Sequence, residues 1–128
     1  MPVIGPLKLK AQILCGGEFA MGPGKADVLE AIAREGSISA AGRALGMSYR
    51  RTWLLVDAMN RCWAEPLVDT TIGGGLAKGA RLSDLGREVL AVYRALEARL
   101  VEAADGEALE ALAGKLLASP KPSQGEAD

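Results

Sequence analysis

The chain has 128 residues, 49% of them hydrophobic and 24% charged, which is the length of one domain and a soluble globular composition. It contains no histidine, so Ser-His-Asp and Cys-His catalysis and every imidazole metal site are excluded. Net charge is −1 but unevenly placed: residues 1–62 carry net +3, residues 63–128 carry net −4, and Gly36–Cys62 holds four arginines against Asp57 alone, an asymmetry that suits one surface to an anionic partner.

The N-terminus MPVIGPLKLK lacks the apolar core of a secretory signal, and no uncharged apolar run approaches the ~20 residues of a membrane span. The expectation is a cytoplasmic protein without a membrane partner, in which Cys15 and Cys62 are reduced thiols serving as small buried hydrophobes. Leu7 to Ile13 alternates apolar and polar with period two, which predicts a half-buried strand. Gly16-Gly17 is a turn signal, and Glu18 to Met21 the return strand. A helix is predicted from about Gly24 to Glu35, with Ala26, Leu29, Ile32 and Ala33 on one face and Gly36 as its stop.

Two short helices follow. Ser37 or Ser39 caps the first, which is built of small residues and stopped by Gly46. Ser48 caps the second, which runs to about Cys62 with Leu55, Val56 and Met59 inward. Leu67–Ile72 and Gly79–Leu82 read as strands joined by a turn at Gly73-Gly74-Gly75. Ser83 caps a long helix that continues to about Gly106, and a further helix runs from about Glu107 to Ala118. The acids between Glu97 and Glu110 read as a solvated helix face, and Ser119–Asp128 as a disordered tail.

The segment from Ser39 to Arg51 has the structure of a helix-turn-helix. Gly42 lies where two helices must approach closely, Gly46 supplies the turn, and Leu45 and Met47 straddle it. Tyr49, Arg50 and Arg51 crowd the first turn of the second helix, where a recognition helix presents base-reading and phosphate-contacting groups. A hairpin with basic residues near its tip then completes a winged helix. Trp53 and Trp63 are expected to pack beside the wing and the long helix. The three glycines are followed by a strand and no Gly-Lys-Ser/Thr, so they are not a nucleotide cradle. There is no nucleophile–base pair, carboxylate cluster or cofactor fingerprint, so no catalytic residue, metal site or cofactor is expected.

Gly36-Ser37-Ile38-Ser39-Ala40-Ala41, Gly46-Met47-Ser48-Tyr49-Arg50-Arg51-Thr52-Trp53 and Asp57-Ala58-Met59-Asn60 resemble the DNA-binding domain of the ModE family of molybdate-responsive regulators, which is related in this domain to LysR-type regulators. Gly73-Gly74-Gly75 and Ala80–Gly86 resemble that family's wing and the start of its linker helix. The likeness covers about residues 7–105. It departs from the family in Thr52, which stands where an inward aliphatic residue is usual, and in the expected lack of an oxyanion-binding domain. It implies DNA binding and dimerisation, not molybdate sensing by this chain.

The fold expected is therefore mainly α, in the α+β class: a winged helix-turn-helix with an N-terminal β-hairpin, a wing hairpin and a long C-terminal dimerisation helix. Residues 1–83 form the DNA-binding domain, 84–118 the dimerisation helices and 119–128 the tail. The candidate DNA contacts are Ser39, Ser48, Tyr49, Arg50, Arg51, Lys78 and Arg81. The stripe Val89, Val92, Tyr93, Leu96 and Leu100 is the candidate homodimer interface. The expected function is a transcriptional regulator that binds a palindromic operator in double-stranded DNA, with effectors acting through a partner protein. A sensor of molybdate or tungstate at a dimer-interface site, and a protein-interaction module paired with another regulator, are the alternatives.

Overall fold

The computed structural model describes residues 2–70 and 79–126. The N-terminal arm folds back twice. Strand β1 (Val3–Ile4) pairs antiparallel with β2 (Leu7–Lys8), and β3 (Ile13–Cys15) pairs with β4 (Glu18–Met21) across Gly16-Gly17. The predicted alternation is visible as burial, with Leu7, Leu9, Ala11 and Ile13 half-buried and Lys8, Lys10 and Gln12 exposed. It is not one strand, however. The first ladder closes where Leu9 N donates to Pro2 O at 3.0 Å, because Pro2 has no N–H to extend it, and pairing resumes with a different partner at Ile13.

Helix α1 (Pro23–Glu35) starts on a proline, whose missing N–H costs nothing in a first turn, and ends at Gly36 with φ +83°. Its face Ala26, Val28, Leu29, Ala31 and Ile32 is buried and forms the centre of the core. Removing a side chain such as Leu29 or Ile32 from water contributes about 1.5–3 kcal/mol. Ala33, expected on this face, is exposed, because the buried stripe is carried by Val28 and Ala31 and the last turn rolls outward. Helices α2 (Ile38–Ala44) and α3 (Tyr49–Cys62) pack on α1 and on each other.

The wing's base follows. Strand β5 (Val68–Asp69) pairs antiparallel with β6 (Arg81–Leu82), in register Val68↔Leu82 and Asp69↔Arg81. Asn60 ties α3 to it: its Oδ1 accepts from Leu67 N at 2.9 Å and Val68 N at 3.0 Å, and its Nδ2 donates to Val68 O at 3.1 Å. The predicted turn Gly73–Gly75 and Lys78 lie outside the described residues.

Helix α4 (Asp84–Ala104) is capped by Ser83, whose Oγ accepts from Gly86 N at 3.0 Å. It starts against the residue that leads into β5: a Cβ on Gly86 would collide with Leu67 O. Two contacts hold its middle to the rest. Tyr93 is buried, and its hydroxyl donates to Ala11 O at 2.6 Å. Arg94 donates from Nη2 to Asp27 at 2.7 Å and Glu30 at 3.0 Å on α1, and from Nη1 to Glu97 at 2.8 Å. Glu97 is 6% exposed, which corrects the expectation of a wholly solvated acidic face: its place one turn beyond Tyr93 carries it inward, where Arg94 meets it. Helix α5 (Glu107–Ala113) stops short of the expected Ala118, because Gly114 interrupts it and Leu112, Leu116 and Leu117 are all exposed, with no packing to sustain another turn.

The architecture is an α+β winged helix with small antiparallel hairpins and a long C-terminal helix. Among the described residues, no helix is long and apolar enough to cross a membrane.

Candidate nucleic-acid interface

Local chemistry sets the corner between α2 and α3. Ser37 caps α2, its Oγ accepting from Ala40 N at 3.0 Å. Gly46, at φ +70°, turns the chain, and Met47 N closes the corner on Gly42 O at 2.8 Å. A Cβ on Gly42 would lie 2.6 Å from Thr52 Oγ1, so the close helix approach expected at this glycine is present. Thr52 is fully buried, and its Oγ1 donates to Ser48 O at 2.8 Å. The hydroxyl at an inward position is thus satisfied within its own helix, which removes the penalty of burying it.

Ser48 Oγ accepts from Arg51 N at 3.1 Å and so caps α3. Directly after it, Tyr49, Arg50 and Arg51 are exposed together on one turn, at the helix end where the peptide dipoles add positive potential. Tyr49 is 58% exposed. Neither arginine forms an ion pair with a carboxylate among the described residues. The one acid of this segment, Asp57, is engaged two turns away: Arg61 Nε lies 3.0 Å from it, and Arg61 Nη2 lies 3.0 Å from Glu18. Those two hydrogen bonds, Asp57 first, raise the Arg61 pKa above its ordinary value.

The other candidates lie on other elements or outside the described residues. Ser39 is exposed on α2 and accepts from Arg43 Nη1 at 2.8 Å, which draws a third arginine to the same helix pair. Arg81 is exposed on β6, and Lys78 lies outside the described residues. Two cations escaped the sequence reading. Lys10 and Lys25 line a shallow depression with Met47 and Arg51, and Lys25 Nζ stands 6.0 Å from the Phe19 ring centre. No spacing signals them, because the arm and α1 meet α3 only in three dimensions. Trp63 packs as expected, its Nε1 donating to Ala20 O at 3.1 Å. Trp53 departs from expectation, being 44% exposed one turn beyond Tyr49.

The α4 stripe divides. Tyr93 is buried within the chain and Val89 half-buried, whereas Val92 is 62%, Leu96 39% and Leu100 38% exposed. Ile13, Met21, Trp63, Val89, Val92 and Leu96 are among the residues lining an open apolar groove of about 330 Å³ beside this helix.

No protein-family model matches the chain. Several curated relatives do, three of which follow. Molybdenum transport protein ModE of Azotobacter vinelandii is 45% identical over 78 residues, 61% of this chain and 29% of that protein. Molybdenum-pterin-binding protein MopA of Rhodobacter capsulatus is 34% identical over 102 residues, 80% of this chain and 37% of that protein. DNA-binding transcriptional dual regulator ModE of Escherichia coli K12 is 32% identical over 71 residues, 56% of this chain and 27% of that protein. The N-terminal part of this chain is homologous to ModE regulators. The match spans little more than a third of any of these relatives, so it concerns one portion of a ModE protein. None of the three names describes an enzyme.

Proposed function

We propose that this chain is a sequence-specific transcriptional regulator that binds double-stranded DNA with the α2–α3 corner. One observation carries the reading: Tyr49, Arg50 and Arg51 stand exposed on the first turn of a helix held by the Gly42–Thr52 contact, with no ion-paired carboxylate among the described residues. An arginine there donates two parallel hydrogen bonds to guanine O6 and N7 in the major groove, a pattern only a G·C pair accepts. Ser39, Ser48 and Tyr49 suit phosphate or sugar, and Lys78 and Arg81 suit the backbone beside the wing.

The chain acts in this reading as a homodimer joined through Val92, Leu96 and Leu100 of α4, with Val89 and Tyr93 supporting that surface from inside. Two-fold symmetry sets two copies of α3 in successive major grooves, about 34–36 Å apart, on a palindromic operator. The names of the relatives support a role in molybdenum homeostasis; in this reading the chain works in the cytoplasm and a partner protein senses the effector.

Fluorescence anisotropy with an operator selected from random duplexes tests the DNA reading. Arg50→Ala or Arg51→Ala is expected to cost about 1–3 kcal/mol of specific binding and to relax preference at one base pair per half-site. Wild-type binding of operator and random duplex by both variants would refute it and leave the interaction-module reading. Light scattering that found only monomer at micromolar concentration would remove the dimer. Calorimetric titration with molybdate or tungstate addresses the anion-sensor alternative: micromolar or tighter affinity in this chain would move sensing from the partner to a dimer-interface site.

A further inference from the structure

Cys15 and Cys62 are 47 positions apart, yet the fold brings them to one place. Cys15 ends β3 and faces Glu18 across the Gly16-Gly17 turn. Glu18 Oε1 accepts from Arg61 Nη2 at 3.0 Å, and Cys62 follows Arg61 as the last residue of α3. Trp63, the next residue, donates from Nε1 to Ala20 O at 3.1 Å on the same strand as Glu18. The residues on both sides of Cys62 therefore hold the hairpin that carries Cys15. Burial first, then the neighbouring Cys15, pushes the Cys62 thiol up. Cys15 is exposed and Cys62 half-buried, which corrects the expectation of two buried small hydrophobes and leaves Cys15 the more accessible thiol.

We propose that Cys15 and Cys62 are a dithiol pair that closes reversibly into an intramolecular disulfide, fastening the end of α3 to the β3–β4 hairpin. The oxidant is a low-molecular-mass disulfide. The Cys15 thiolate attacks one of its sulfurs, its S–S bond breaks, and one thiolate leaves, giving a mixed disulfide on Cys15. Cys62 loses its proton to solvent and attacks the Cys15 sulfur, and the second thiolate departs. Two protein thiols are oxidised and one small disulfide is reduced to two thiols, so the two electrons balance. Strong reductant reverses both steps. The pair is set by the fold alone and does not depend on DNA binding.

The test exposes the reduced, full chain to glutathione disulfide and follows intact mass under denaturing, non-reducing conditions, with alkylation of remaining thiols. The expected product is monomeric, about 2 Da lighter than the reduced chain, closed to alkylation and restored by dithiothreitol. Cys62→Ser is expected to stop at the glutathione adduct on Cys15. A wild-type chain that stopped at the same adduct, kept both thiols open, or formed only disulfide-linked dimers would overturn the pair. Melting reads the fastening: the oxidised chain should unfold roughly 5 °C or more above the reduced one, since the bond closes a long loop. A disulfide that formed without raising the melting temperature would overturn that part.

Discussion

Arginines do opposite work at two ends of this molecule. At the seam between α1 and α4, Arg94 is surrounded by Asp27, Glu30 and Glu97, all within 3.0 Å. Its hydrogen bond to Glu30 first, then those to Glu97 and Asp27, hold its pKa above the ordinary arginine value. At the start of α3, Arg50 and Arg51 have no such partners among the described residues and stand in solvent. A guanidinium saturated by carboxylates contributes to stability and offers nothing to a phosphate. One left exposed at a helix N-terminus contributes little to stability and is available to an external anion. The net charge of −1 conceals this division.

The largest effect should come from the seam. Arg94→Met leaves the Glu97 carboxylate buried without its cation and should cost about 3 kcal/mol in urea denaturation, within the range for breaking such a pair. Arg94→Met combined with Glu97→Leu should recover most of that loss. A loss as large from Arg50→Ala would erase the contrast between the two regions.

Alkali sharpens it next. Burial first, then the nearby Glu97 charge, pushes the Tyr93 pKa from its ordinary 10.0 up to about 12. The folded state thus favours the neutral phenol more than the unfolded state does. That stabilisation is complete below pH 10 and disappears as pH rises towards 12, amounting to roughly 3 kcal/mol. Stability curves of wild type and Tyr93→Phe should differ in slope across this interval, and parallel curves would count against the assignment.

Arg50→Ala and Arg51→Ala should change the unfolding free energy by no more than about 0.5 kcal/mol. Their cost belongs to the DNA complex, as argued above, so measuring both quantities on one preparation separates the two uses of arginine. The smallest effect is expected at the wing. Arg81→Ala should weaken all duplexes alike and lower the salt slope of binding by about one. A change in base preference instead would make Arg81 a reader of sequence.

Where local chemistry decides an element, the sequence was enough. Ser48 and Ser83 are caps, Gly36 and Gly46 are left-handed stops, and Gly42 is a close approach, each a short-range demand that one residue type meets. The exposed turn Tyr49–Arg51 was legible for the same reason. What escaped depends on distant partners. The strand from Leu7 divides because two different strands pair with its parts. Glu97 is buried because Tyr93 and Arg94 draw that face of α4 onto α1 and the arm. Lys10 and Lys25 reach the recognition helix only through the way the arm and α1 pack, and the proximity of Cys15 to Cys62 follows from the Arg61–Glu18 and Trp63–Ala20 contacts.

Gly86 has a mechanical meaning. The carbonyl of Leu67 takes the space a side chain would need there, and the same oxygen accepts from Ser83 N at 2.8 Å. The joint is backbone against backbone, with no flexible side chain between to absorb displacement. The root of α4 and the residue that leads into the first strand of the wing are thus joined as one lever. A force that tilted α4, such as a partner seated on its outer apolar stripe, would reach the wing's base through this joint. A bulkier residue at position 86 would pry that lever apart while leaving the α2–α3 corner untouched.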